Sequence, residues 1–306
     1  MLFTSFRRVL PALTAALVLQ AGGAYAQRLI TMDNESCSSG LQALSPIING
    51  EIKLSSPPRS FAGKCEASDV ILNLKPDIVL RLDKVAWGKG QLESVARGLL
   101  PERLKLKITG AHVVSAPKPG SPLSVLAQEG LLERGMNASL TFSYTPKQGK
   151  LNLQQAMLRF SDENLIVLSA KLNGVAPALP SNPQIGILPI LIEDLTLTVE
   201  TGRRIRNPAY SLAAFQVHEV NPSMKDAELK ATADAYIVKE ISAVLDQNAL
   251  LDLRRFISDA PDPQAPITVR LTSRDGFALI RLIGLQAGSA LDKVFEGADL
   301  SFRYGR

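Results

Sequence analysis

Proton transfer near neutral pH is most often the work of histidine, and this chain has two, His112 and His218. His112 closes an alternating stretch, and His218 lies in Phe215-Gln-Val-His-Glu219. A serine hydrolase needs one of them beside a serine on a strained turn, and no Gly-x-Ser-x-Gly element exists. Both histidines therefore read as structural or surface residues. Metal chemistry lacks its spacing signatures as well. There is no His-Glu-x-x-His, no Cys-x-x-Cys and no calcium-loop pattern. Asp33-Asn-Glu35 and Asp259-Ala-Pro-Asp262 read as solvated turns. No glycine-rich loop joins a strand to a helix, so no phosphate cradle is expected. Paired carboxylates of the glycosidase kind stay open, because any two of 29 acids could meet in a fold. Aromatic residues make up 5% of the chain with Trp87 the single tryptophan, which argues against a stacking platform for sugars or bases. The expectation is no catalytic residue, no cofactor and no metal.

Two segments are candidates for binding. Arg203, Arg204 and Arg206 put three cations into four residues and could contact a phosphate-bearing lipid or an acidic partner; a solvated loop is the plainer reading. Ile185–Ile192 is apolar without helix or strand periodicity. Its Ile187 and Ile190 could line a groove or lie at a membrane surface, and ordinary core is the plainer reading there.

The first 26 residues set the compartment. Arg7 and Arg8 precede the apolar stretch Val9–Leu19, and Ala24-Tyr25-Ala26 places small residues before a cut between Ala26 and Gln27. That is the layout of a secretory signal peptide, too short for a membrane span, and ordinary Sec export fits it better than a twin-arginine route. Removing it lowers the chain's formal charge from +5 to +3, since it takes away two arginines and no acid. So small a balance indicates neither a nucleic-acid footprint nor a polybasic membrane anchor. No later apolar run can cross a bilayer, so the mature chain is expected to be soluble in the periplasm or outside the cell. In that setting Cys37 and Cys65 read as a disulfide, closing a 29-residue ring worth roughly 3–4 kcal/mol. Two buried thiols are the alternative.

Alternating apolar and polar residues recur along the mature chain, the mark of half-buried strands. Ile78–Asp83, Leu104–Thr109, Met136–Tyr144, Asn164–Leu172 and Leu195–Val199 all alternate, and Pro146-Lys-Gln-Gly149 reads as a hairpin turn leading to Leu151 and Leu153. One-sided alternation implies antiparallel sheet with one solvated face. Helical spacing is seen in Gly90–Leu100, in about Pro222 to Leu245 behind an Asn221 cap, and in Asn248–Ile257. The fold class is α+β, mostly antiparallel β, with amphipathic strand repeats and a few helices packed on one sheet face. The repeats are strand–connection–strand units at Ile78–Gly110, Leu165–Gly202 and Phe277–Gly305, which would share one sheet or pack side by side. The organisation is a signal peptide (1–26), a poorly patterned disulfide-pinned segment (27–68), a first β-rich part (69–174), a Pro-rich connection (175–190) and a second α+β part (191–306). One continuous domain is the favoured variant.

Leu165–Gly174, Asp194–Gly202, and the helical Ala249–Ile257 running through Pro263 into Ile267–Thr272 carry a resemblance. On these pieces the chain resembles uncharacterised exported (periplasmic) proteins of alphaproteobacteria with repeated amphipathic strands. The resemblance implies a bacterial envelope setting and transfers no catalytic residues. The functional expectation is non-catalytic binding of lipid or another apolar ligand in the envelope. A structural or interaction module of the envelope without small ligand is the alternative, and an atypical hydrolase is third.

Overall fold

A computed structural model describes residues 37–42, 44–45, 48, 50–74, 78–96, 98–115, 135–161, 164–177, 188–200, 225–236, 241–259, 265–282 and 290–305. Eleven strands form one antiparallel sheet: β1 (Gly50–Leu54), β2 (Arg59–Phe61), β3 (Lys64–Leu74), β4 (Ile78–Gly88), β5 (Arg103–Val113), β6 (Met136–Thr145), β7 (Lys150–Ser161), β8 (Asn164–Asn173), β9 (Leu191–Glu200), β10 (Ile267–Ala278) and β11 (Asp299–Tyr304). From β3 onward each strand pairs with the next in sequence, while β1 and β2 share the far side of β3. The described helices are α1 (Cys37–Gln42), α2 (Gln91–Ala96), α3 (Asp226–Tyr236), α4 (Gln247–Asp259) and α5 (Leu291–Val294). The antiparallel, mostly β class expected from one-sided alternation holds. β8 and β9 pair directly, so the sheet is continuous across the Pro-rich connection.

The segment expected to lack pattern contains α1, β1 and β2. These elements are three to six residues long, too short for a period to stand out. Of the helix expected over Pro222–Leu245, α3 is the described part; its Asn221-Pro222 cap and residues 237–240 lie outside the described residues, and residues 242–245 form a turn.

Cys37 and Cys65 are bridged, with Cα atoms 5.6 Å apart, and Cys65 has no solvent exposure. The bond ties α1 to β3. Replacing both cysteines by serine should lower unfolding free energy by about 3–4 kcal/mol in urea titrations. Because the bond is buried, dithiothreitol should destabilise the native chain only once denaturant opens it.

Apolar positions change parity within three adjacent strands: Cys65 and Ala67 give way to Val70 in β3, Leu82 to Val85 in β4, and Ile108 to Ala111 in β5. A one-residue slip would turn the following side chains to the wrong face. Asp69 (φ +49°) and Gly110 (φ +63°) absorb it in left-handed conformations, as β-bulges do. A Cβ at Gly110 would come within 2.0 Å of the Asp83 Oδ2 atom, so glycine is needed there twice over.

Beyond β8, Val175 is held by two neighbours. Its N–H donates to the Gly149 carbonyl, and its own carbonyl accepts the buried Tyr144 hydroxyl at 2.8 Å. Burial raises the Tyr144 pKa above the usual phenolic value. The folded state therefore favours the neutral phenol. The associated stability is complete below the ordinary tyrosine pKa, near 10, and is lost as pH rises through the raised one. Tyr144→Phe should cost about 1 kcal/mol at neutral pH and flatten the alkaline arm of a stability–pH profile.

Candidate apolar binding face

Antiparallel pairing sets the side chains of successive strands opposite one another, so rows can be followed across the sheet. One row runs Cys65, Trp87, Leu106, Leu140, Ala156, Leu168, Leu197, Val269, Phe302. Its neighbour runs Ala67, Val85, Ile108, Ala138, Leu158, Ile166, Val199, Ile267, Tyr304. Each row crosses nine strands without a charged residue, and a third carries Leu104, Phe142, Leu153, Ala170, Leu195, Leu271 and Leu300. At about 4.8 Å per strand, nine strands make a surface roughly 38 Å across.

The two ends of this face are roofed. Over β3–β6, the buried Leu41 of α1 and Leu92 of α2 join Cys65, Val85, Trp87, Leu104 and Phe142 in one cluster. Over β9–β11, Val294 of α5 packs with Ile192, Leu271 and Phe277, and the Phe277 and Phe295 rings stack at 5.6 Å. α4 closes the β11 edge, where Phe256 meets the rings of Phe302 and Tyr304 at 6.2 and 5.7 Å. Asp252 accepts the Tyr304 N–H, and Asp259 accepts its hydroxyl. Between the roofs, Leu158, Ile166, Leu168, Leu197, Val199 and Val269 are half-buried and belong to neither cluster.

Register shifts at Leu153/Ala156, Lys171/Leu172 and Thr272/Phe277 follow one another from β7 to β10. Bulges bend the strands that carry them, so the floor is curved. Gly174 turns the chain just beyond β8 at φ +71°, where a Cβ would lie 2.0 Å from the Pro189 carbonyl oxygen. Gly174→Val should therefore disturb the start of β9 and lower the melting temperature, whereas the same change at the open Gly297 costs only its backbone strain.

Of the residues singled out from sequence, Cys37 and Cys65 form the bridge described above. Ile190 is half-buried against the first cluster, and its carbonyl accepts the Leu279 N–H at 2.9 Å, so it belongs to the core. Ala26, Gln27, Ile187, Arg203, Arg204, Arg206 and His218 lie outside the described residues. His112 Nε2 lies 3.3 Å from the Asp83 carboxylate, on the polar face, and the described residues give it no other hydrogen-bond partner. No group of three or more metal-ligating side chains occurs among the described residues. The floor residues Leu158 and Val269 did not stand out in the sequence, because periodicity shows which face they take, not how deeply they are buried.

The fold and face define an α+β protein built on one open antiparallel meander, apolar on one side and roofed at both ends. The chain matches no protein-family model and none of the curated proteins. Among the described residues, no helix is long and apolar enough to cross a membrane.

Proposed function

We propose that this is an exported envelope protein that binds an acyl chain on the apolar floor of the sheet. The observation that carries the reading is the half-buried stretch from Leu158 to Val269, flanked by two roofed clusters and left uncovered by either. Strands β7–β10 span about 14 Å. An extended stretch of about eleven C–C bonds, each of about 1.5 Å and advancing about 1.25 Å, has the same length. Each methylene buried on such a surface contributes about 0.8 kcal/mol. The disulfide supports an oxidising compartment, in keeping with residues 1–26 acting as a signal peptide. Units 78–110 and 165–202 supply the adjacent strand pairs β4–β5 and β8–β9 of this face, whereas 277–305 holds only the last two residues of β10 before β11 and is no strand–connection–strand repeat.

Native mass spectrometry of gently purified protein should reveal co-purified lipid, and a fluorescent C16 fatty acid should bind and be displaced by unlabelled palmitate. No lipid in the spectrum together with no fluorescent binding would overturn the reading. A stable dimer with the floor protected from solvent would replace it by the interaction-module alternative.

A further inference from the structure

Several exposed cations elsewhere on the polar face of the sheet have acidic partners, whereas Lys64 and Arg303 have none among the described residues. Lys84 meets Glu66 at 2.7 Å, Arg81 lies between Asp69 and Asp83, Lys53 is 3.3 Å from Glu51, and Arg270 clasps Asp194 through two nitrogens. The Asp194 carboxylate holds the Arg270 pKa above its ordinary value. This pairing stops at the centre of the sheet. Strands β5–β8 contain no aspartate or glutamate, yet they carry Arg103, Lys105, Lys107, Lys150, Arg159 and Lys171.

Five of these, all but Arg159, are exposed. Arg103, Lys105 and Lys107 alternate with the apolar Leu104, Leu106 and Ile108, so they share the polar face. Arg103 heads a cross-strand row through Ser143 and Asn152 to Lys171, which faces Asp194 of β9 at the edge of the patch, and Lys150 pairs with Thr145 next to it. The five cations occupy a patch about 14 Å across the strands and about 20 Å along them, with successive charges on β5 about 7 Å apart. That spacing is within a Debye length at physiological salt, so the charges act together. The nearest acid at this end of β5 is Glu102, exposed just before the strand.

We infer that the outer face of β5–β8 docks on an anionic phospholipid surface. Charge complementarity selects an anion, and the composition of the patch selects its kind. Four of the five cations are lysines, which act as mobile point charges, whereas planar carboxylate recognition favours arginine forks. Ser139, Thr141, Ser143 and Asn152 lie between them, with no aromatic residue to stack a base or anchor a protein hot spot. The inference does not rest on acyl-chain binding, which uses the opposite face.

The test is co-sedimentation of the purified chain with vesicles of equimolar phosphatidylglycerol and phosphatidylcholine, against vesicles of phosphatidylcholine alone. Binding to the anionic vesicles only, weakened by added salt, is expected. K105Q/K107Q should weaken it by about thirtyfold, and K150Q/K171Q by a similar factor, with unchanged melting temperatures. Arg59→Gln, on exposed β2 away from the patch, should leave binding unchanged. Equal binding to both vesicle types, no binding to either, or binding that both double variants retain would overturn the inference. So would a preference for single-stranded DNA or polyglutamate over the anionic vesicles. Fluorescent fatty-acid binding should survive both double variants, which separates failure here from failure of the acyl-chain reading.

Discussion

Trp87→Ala should lower unfolding free energy by about 3–5 kcal/mol, measured by urea titration of the oxidised protein. Trp87 is 2% exposed and stands in the row between Cys65 and Leu106, under the roof that Leu41 and Leu92 complete. Truncation there removes the largest fully buried side chain and leaves a cavity beside the disulfide. Its indole N–H has no hydrogen-bond partner among the described residues. Trp87→Phe should therefore cost much less, because it keeps most of the apolar volume and removes an unsatisfied donor. A loss on Trp87→Phe as large as that on Trp87→Ala would show that the indole N–H has a partner outside the described residues.

Leu197→Lys is the second large effect, and it falls on binding. Leu197 sits in the half-buried floor outside both clusters, between Leu168 and Val269. A lysine there can extend its ammonium toward water in the free protein, so the fold should tolerate it with a small change in melting temperature. An acyl chain laid across the same position would strip water from that charge. Fatty-acid affinity should fall at least tenfold by fluorescence titration. Ser169→Lys, one strand away and on the opposite face, should leave that affinity within twofold. Equal losses from both variants would argue against a ligand on this face.

The strands were legible where alternation is uninterrupted. Met136–Tyr144 shows a single parity over nine residues and forms β6. In β7, Leu151 and Leu153 have one parity while Ala156, Leu158 and Phe160 have the other, because a bulge intervenes. Read with a fixed period of two, that strand loses half its core face. The basic patch was hidden for a different reason. A net charge averages over the whole chain, and acids in β3, β4 and β9 cancel the six cations that β5–β8 carry alone. Helical spacing found α2 within Gly90–Leu100, α4 over Asn248–Ile257 and α3 within Pro222–Leu245, where the last residues of the stripe, Val244 and Leu245, lie in a turn. The half-buried floor outside both clusters could not be read from spacing at all. Half-buried and fully buried leucines have the same period, and only the placement of α1, α2, α4 and α5 distinguishes them.

Nearest-neighbour pairing along the meander also fixes how the chain can assemble. From β3 to β9 every strand finds its partner in the strand just before it, so each closure spans at most 22 residues, and its entropic cost grows only slowly with that length. A chain threaded through a membrane N-terminus first could add each strand to a finished edge as it emerges. The Cys37–Cys65 bond can form once β3 has appeared, before any of the floor exists. The exception is β10, which must find β9 across residues 201–266. Until it arrives, β9 presents an open edge with Leu195, Leu197 and Val199 on its apolar side. The slowest step of folding, and the window for aggregation, should therefore be the closure of β9 by β10.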